Sequence, residues 1–218
     1  MKRLLFLSLA ALMVLVVSCK KDKPGNKIPE GAVDLGIVMT REDGTTYKLY
    51  WAKSNLSEDG LCANPEDYGD YFAWGETEPK LSYSVSSYTF MDNPSNLTEV
   101  GRDVAHVKLD GNWRMPTSKE FQELIDNCTS TWTTQNGVTG RLFIGKKSGY
   151  TDKSIFLPAA GMRLDSYLGY NSTDGYYRSS SIVPKSSDAW YLHFLSDRAE
   201  IRGSQRRLGY SVRPVYED

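Results

Sequence analysis

The chain carries many short strand signals and one strong helix signal, and this imbalance limits what it can fold into. Residues 33–39 and 46–52 flank Asp43-Gly44, a dipeptide suited to a tight turn, and predict a hairpin. Residues 83–90 alternate polar and aromatic side chains, as a half-buried strand does. Residues 141–145 and 154–158 predict a second hairpin about a longer loop. Residues 189–195 put Trp190, Leu192 and Phe194 on one face and Tyr191, His193 and Leu195 on the other. A turn at 196–198 leads into a strand at 199–202. Residues 208–216 read as a last strand, with Pro214 at an edge or a bulge. The helix opens after Pro116. Thr117 and Glu120 have capping-box spacing, Phe121, Leu124 and Ile125 share one face, and Asn127 marks the end. A shorter helix is expected at 102–107. Helices do not alternate with strands, so the expected class is α+β, a strand-rich mixed sheet with one or two helices. No internal repeat and no long linker interrupts residues 31–218, which predicts a single domain there.

The N-terminus addresses location. Lys2 and Arg3 precede fourteen uncharged residues, 4–17, which end in Ser18-Cys19. A spanning helix needs about 20 apolar residues, whereas a signal-peptide core needs roughly 7–15. The small residue followed directly by cysteine resembles a bacterial lipobox. That resemblance implies a signal peptide over 1–18, cleavage before Cys19 and acylation of Cys19, palmitate-type chains included. Several acyl chains hold firmly where one does not, since each buried CH₂ contributes about 0.8 kcal/mol. Residues 19–30 are polar with two prolines and read as a lipidated tether. The expected place is the cell envelope, anchored by lipid at the outer membrane. Asp22 is the only acidic residue near the anchor, so the periplasmic or surface face stays open.

With 26 Lys+Arg against 27 Asp+Glu, the chain lacks the basic excess of a protein that neutralises phosphates, and no nucleic-acid partner is expected. His106 and His193 are the only histidines, neither in a metal-ligand spacing, and no nucleophile-elbow motif is present. The acidic stretch around Glu66, Asp67, Asp70, Glu76 and Glu78 supplies oxygens of the kind Ca²⁺ prefers, but its spacing departs from the EF-hand loop. The competing reading is a solvated acidic turn with Trp74 in the core. No metal or cofactor is expected. With Cys19 assigned to lipid, Cys62 and Cys128 remain as an even pair, which in an exported protein suggests a disulfide. The alternative is two buried free thiols. Tyr167, Tyr170, Tyr176 and Tyr177 stand among Gly, Ser, Asn and Asp, a composition suited to a recognition surface because Tyr gives large contact area at low entropy cost. The alternative is an irregular loop whose tyrosines cover the core.

Six segments in order carry a resemblance: VDLG (33–36), PEDYGDYFAWGETEPK (65–80), NWRMPTSKEFQELIDNCTSTWT (112–133), SIFLPAAGMR (154–163), GYYRSSS (175–181) and LGYSVRPV (208–215). Together they resemble the Fibrobacter succinogenes major paralogous domain family of lipoproteins. The resemblance implies a C-type-lectin-like fold, related to that of formylglycine-generating enzymes. Those enzymes depend on a late pair of copper-binding cysteines, and this chain has no cysteine after Cys128. Enzymatic activity is therefore not carried over. The expected function is a non-catalytic binding or adhesion module, displayed on a lipid anchor and recognising a glycan or protein ligand through the loops around residues 165–187. The alternative is an enzyme on the same fold with a site assembled only in space.

Overall fold

The computed structural model describes residues 28–218. The signal segment expected over 1–18, the acylation of Cys19 and the tether up to residue 27 lie outside the described residues.

The expected first hairpin pairs β1 (Ala32–Thr40) with β2 (Thr46–Ala52). Its turn is set locally: the Asp43 carboxylate accepts from the Thr45 amide at 2.9 Å, and Gly44 supplies a φ of 84°. A small hairpin follows, β3 (Leu56–Ser57) with β4 (Gly60–Leu61). Residues 62–103 then run without a regular element. Helix α1 (Val104–Leu109) is capped by Asp103, whose side chain accepts from the Ala105 and His106 amides. After β5 (Trp113–Arg114) comes α2 (Ser118–Asn127), with both halves of the Thr117–Glu120 capping box formed. Such a cap contributes about 1 kcal/mol. Three strands form one antiparallel sheet: β6 (Cys128–Gln135), β7 (Val138–Gly145) and β8 (Ser154–Pro158). The short pair β9 (Met162–Leu164) and β10 (Tyr167–Gly169) precedes a second such sheet, β11 (Gly175–Ile182), β12 (Asp188–Phe194) and β13 (Ala199–Gln205). Finally β14 (Val215–Glu217) returns to the first hairpin and completes the order β1-β2-β14-β5. The class is α+β: the described residues are strand-rich, with several small sheets and two helices.

Two apolar clusters bind these pieces together. One joins Leu35, Ile37 and Trp51 of the first hairpin to Phe121 and Leu124 of α2 and to Phe143, Leu157, Leu192 and Phe194 of the two three-stranded sheets. Each fully buried side chain of this size contributes about 1.5–3 kcal/mol. The other gathers Leu56, Phe72, Trp74, Phe90, Leu97, Val104, Met115 and Val212, and gives the irregular 62–103 stretch its core.

Several expectations need correction. Residues 83–90 are not a strand; Tyr83 makes a single bridge to Asp165. The serines claim the backbone instead: Ser87 Oγ donates to Ser82 O at 2.8 Å, and the Ser87 amide donates to Ser84 Oγ at 3.2 Å. Of residues 208–216, only the last two are strand. Gly209, Tyr210 and Ser211 bridge in turn to Arg163, Phe72 and Tyr177, so the segment threads between elements rather than pairing with one. Pro214 has no amide to continue a ladder. Strands β6 and β11, by contrast, were not anticipated.

The Cys62–Cys128 bridge does not form; both thiols are free. Separate backbone pairings hold them. Cys128 pairs with Gly145 across β6–β7 and lies in the larger cluster, where burial pushes its pKa up to about 12. The Cys62 amide donates to Asn55 O beside the β3–β4 hairpin.

Candidate functional site

The four tyrosines split into two pairs. Tyr167 and Tyr170 are 69% and 57% exposed, but Tyr176 and Tyr177 are 9% and 0% exposed and belong to β11 rather than to a loop. This corrects the expected four-tyrosine surface: β11 lies in a sheet both of whose faces are packed, with Tyr176 among Tyr191 and Tyr210 on one side and Tyr177 against Phe194 and Pro158 on the other. Tyr177 stacks on Phe194 at 5.7 Å, donates to Pro158 O at 2.7 Å and accepts from Asn55 Nδ2 at 3.2 Å. Tyr176 stacks on Tyr191 at 5.8 Å and lies 5.3 Å from the Tyr210 ring. Tyr170 stays within reach of that cluster, 6.1 Å from Tyr176.

Inside the cluster His193 Nε2 meets Asp174 Oδ1 at 3.0 Å, and the same oxygen accepts from Tyr176 Oη at 3.3 Å. His193 Nδ1 has no hydrogen-bond partner, and the nearest carboxylate oxygen facing it, Glu200 Oε1, stands 3.9 Å away. The pair is closed over by Tyr176 and Tyr191, whose rings lie 4.8 and 6.1 Å from the imidazole. His106 lies elsewhere, on α1, with Nδ1 3.2 Å from Trp113 O.

The acidic stretch disperses. Glu66 accepts from Gln135 and Asn136, Asp67 from the Asn64 amide, and Asp70 from the Glu58 amide. Glu76 pairs with Lys80 at 2.5 Å and Glu78 with Lys108 at 3.0 Å. Among the described residues no three His, Cys, Asp or Glu side chains converge as metal ligands. Trp74 is fully buried, as expected of a core plug. Gly75 follows it at φ 75°, where any Cβ would enter the Phe90 ring.

That packing of Phe90 on Trp74 builds one wall of a groove of about 640 Å³. The groove runs between the irregular 85–93 segment, the turn joining β11 to β12, and the turn after β13. Tyr88, Phe90, Ile182 and Val183 form its apolar walls. Val85 and Met91, each 76% exposed, stand at its rim. Its charged lining is all cationic: Lys185, Arg206 and Arg207, with no carboxylate. The volume falls within the roughly 300–1,000 Å³ of small-ligand sites.

Arg206 is fixed from several sides. Its backbone oxygen accepts from the Trp74 amide at 2.9 Å, and its guanidinium stacks over the Trp74 ring at 4.5 Å. One terminal nitrogen donates to Asp92 O at 3.0 Å and so ties the irregular wall to the β13 turn. Arg206 is only 5% exposed, yet its Nε and its other terminal nitrogen have no partner. Tyr88 donates to Trp74 O at 2.9 Å, and burial pushes its pKa up to about 12, so the phenol stays protonated at neutral pH. On the far side, Asp165 in the β9–β10 turn accepts the Tyr83 amide at 2.9 Å and stands 3.8 Å from Arg207. That turn leads directly into Tyr167.

Of the groove residues, Ile182, Val183, Lys185, Ser186 and Ser187 fall within the loops around 165–187 from which recognition was expected; those of the 85–93 and 205–207 walls were not identified from the sequence. The available signal was a serine-rich stretch holding unpaired apolar residues, Leu81, Val85 and Met91, without a sustained period. Compared with protein-family models, with curated protein sequences and with solved structures, the chain matches none.

Proposed function

We propose that the chain is a cell-envelope lipoprotein, acylated at Cys19, whose domain over 31–218 has a C-type-lectin-like arrangement and binds a glycan or protein ligand without transforming it. The strand-rich body, with two helices among the described residues, supports the lectin-like arrangement. One observation carries the binding reading: an irregular segment held on a well-packed scaffold presents Val85 and Met91, both largely exposed, at the rim of an apolar groove. Exposed apolar side chains gathered at a concavity mark interaction sites, and binding residues concentrate on loops that a rigid scaffold positions. Tyr167 on β10 and Tyr170 just after it add exposed aromatic surface.

The enzyme alternative would draw on Asp174 and His193, the one carboxylate–imidazole contact within hydrogen-bonding distance among the described residues. Its burial beneath tyrosines favours a packing role over access to substrate.

The test is a glycan-array and protein-binding screen with the full chain, repeated with V85S/M91S and with Y167A/Y170A. These positions are exposed, so stability should change by no more than about 0.5 kcal/mol each. A ligand whose affinity falls at least about tenfold in V85S/M91S supports the reading. Turnover of a screened compound that is lost in H193A, or ligand binding indifferent to both double variants, overturns it.

A further inference from the structure

We infer that a second, polar pocket binds a free α-amino acid as its zwitterion, the carboxylate on Arg163 and the ammonium on Asp70 and Glu58. This site goes beyond the groove reading and shares no lining residue with the groove.

The pocket, of about 420 Å³, lies between the β3–β4 turn, residues 69–71, residues 79–83 and β9. Its floor is fixed from within the chain. Tyr71 Oη donates to Ala160 O at 2.6 Å, Tyr83 Oη donates to Tyr71 O, and the Lys80 amide donates to Tyr83 Oη at 3.1 Å. The Lys80 ammonium is spent on Glu76 and on Ser87 O. Its sides are fixed too. The Asp70 amide donates to Leu56 O at 3.0 Å, and Asp70 Oδ2 accepts from the Glu58 amide at 2.8 Å. Arg163 and Gly209 exchange backbone hydrogen bonds at 2.8 and 3.0 Å. A site held in place before its ligand arrives loses less freedom on binding.

What the pocket leaves uncommitted is charge of both signs. The Arg163 guanidinium lies 5.3 Å from the Tyr71 ring, and no carboxylate pairs with it among the described residues. Arg163 is partly exposed, and its nitrogens, unlike the two unmet ones of Arg206, are not shut off from solvent. Across the pocket, Asp70 Oδ1 and the exposed Glu58 carboxylate have no partner either. Both signs reach the floor. Burial raises the pKa of the Tyr83 phenol, Arg163 lowers it and Asp70 raises it.

The pairing of signs selects the ligand. A sugar hydroxyl meets either group singly and leaves both charges uncompensated. A peptide terminus carries only one of the two charges needed. An α-amino acid carries both, one carbon apart. Its carboxylate accepts the parallel N–H fork of a guanidinium, and its ammonium has three donors for the two carboxylates. Leu81, 93% exposed, stands among the lining residues where the ligand's side chain leaves the pocket.

Calorimetric titration of the full chain with L-leucine, N-acetyl-L-leucine and L-leucinamide decides the matter. Leucine should bind at least about tenfold more tightly than either blocked form, and glucose should not compete. Arg163→Met removes a guanidinium that no hydrogen bond ties to the fold. It should abolish the preference over leucinamide and keep the preference over N-acetyl-leucine. Asp70→Asn keeps an oxygen for the Glu58 amide and should do the reverse. A merely structural role would weaken all three ligands together. Equal binding of the three, no binding of leucine, competition by glucose, or a variant that keeps the preference it should lose overturns the inference. V85S/M91S should leave leucine binding unchanged; its loss there would move the ligand to the groove and likewise overturn it. Failure here leaves the groove standing, because the two sites have separate linings.

Discussion

Two buried arginines teach opposite lessons. Arg213 is fully enclosed, and all three of its nitrogens are engaged: Nε donates to Asn55 Oδ1 at 2.9 Å, and the terminal nitrogens donate to Ala52 O at 3.1 Å and Phe156 O at 2.8 Å. Burial pushes its pKa down to about 10, which still leaves it charged at neutral pH. It joins the first hairpin, the β3 region and β8 through hydrogen bonds that hydrocarbon could not supply. Arg206 is nearly as buried but uses one nitrogen. The first region is closed chemistry, complete within the chain. The second leaves two donors unmet, both shut off from solvent.

The largest break in that contrast is Arg213→Met. It strips partners from a side-chain amide oxygen and two buried carbonyls, each worth about 1–3 kcal/mol when left unmet. The expected loss is about 4 kcal/mol or more, read from the denaturation midpoint at unchanged slope. A loss below about 1 kcal/mol would mean that this network does not hold the hairpin to β8.

Tyr177→Phe probes the same closed region one bond at a time. It leaves Pro158 O and Asn55 Nδ2 short of a partner and should cost about 1–3 kcal/mol. Chemical denaturation of the variant beside the native chain checks it, and no change would separate Tyr177 from the network.

Glu217 offers a half-exposed intermediate case. Burial alone would raise its pKa, but hydrogen bonds and charge from Arg114 and Arg41 outweigh burial and hold it below the ordinary 4.5. A lowered folded-state pKa contributes stability above the unfolded value, and that contribution drains away as pH falls through the folded one. The native chain should therefore lose more stability than Glu217→Gln between about pH 5 and pH 3. The difference should stay under about 1 kcal/mol because solvent screens the pair. Parallel melting curves across that range would show it.

The smallest expected effect is the sharpest test of the contrast. Arg206→Met keeps the packing on Trp74 while removing an uncompensated charge, and Asp92, being exposed, can take water in its place. Stability should move by less than about 1 kcal/mol in either direction. A loss as large as that of Arg213→Met would make Arg206 another structural clamp.

Local signals in the sequence carried far. Asp43-Gly44 fixed a hairpin, Thr117 and Glu120 fixed the start of α2, and both are interactions within four residues. Alternation misled at residues 83–90, where serine side chains satisfied the backbone that a strand would have used. It also failed at 176–177, where several elements bury both faces of β11 and leave no alternating pattern to detect.

The strand-rich α+β class, the two helices of the described residues and half of the strands were legible from the amino acids alone, because capping, turn chemistry and periodicity act over a few residues. Long-range packing is what leaves Tyr167 and Tyr170 facing solvent while Tyr176 and Tyr177 do not, keeps Cys62 and Cys128 apart, and brings Tyr88, Ile182 and Arg206 to one groove. Those outcomes depend on which distant segments pack together. Arg206 and Asp92 are 114 residues apart, and no local pattern records such a meeting.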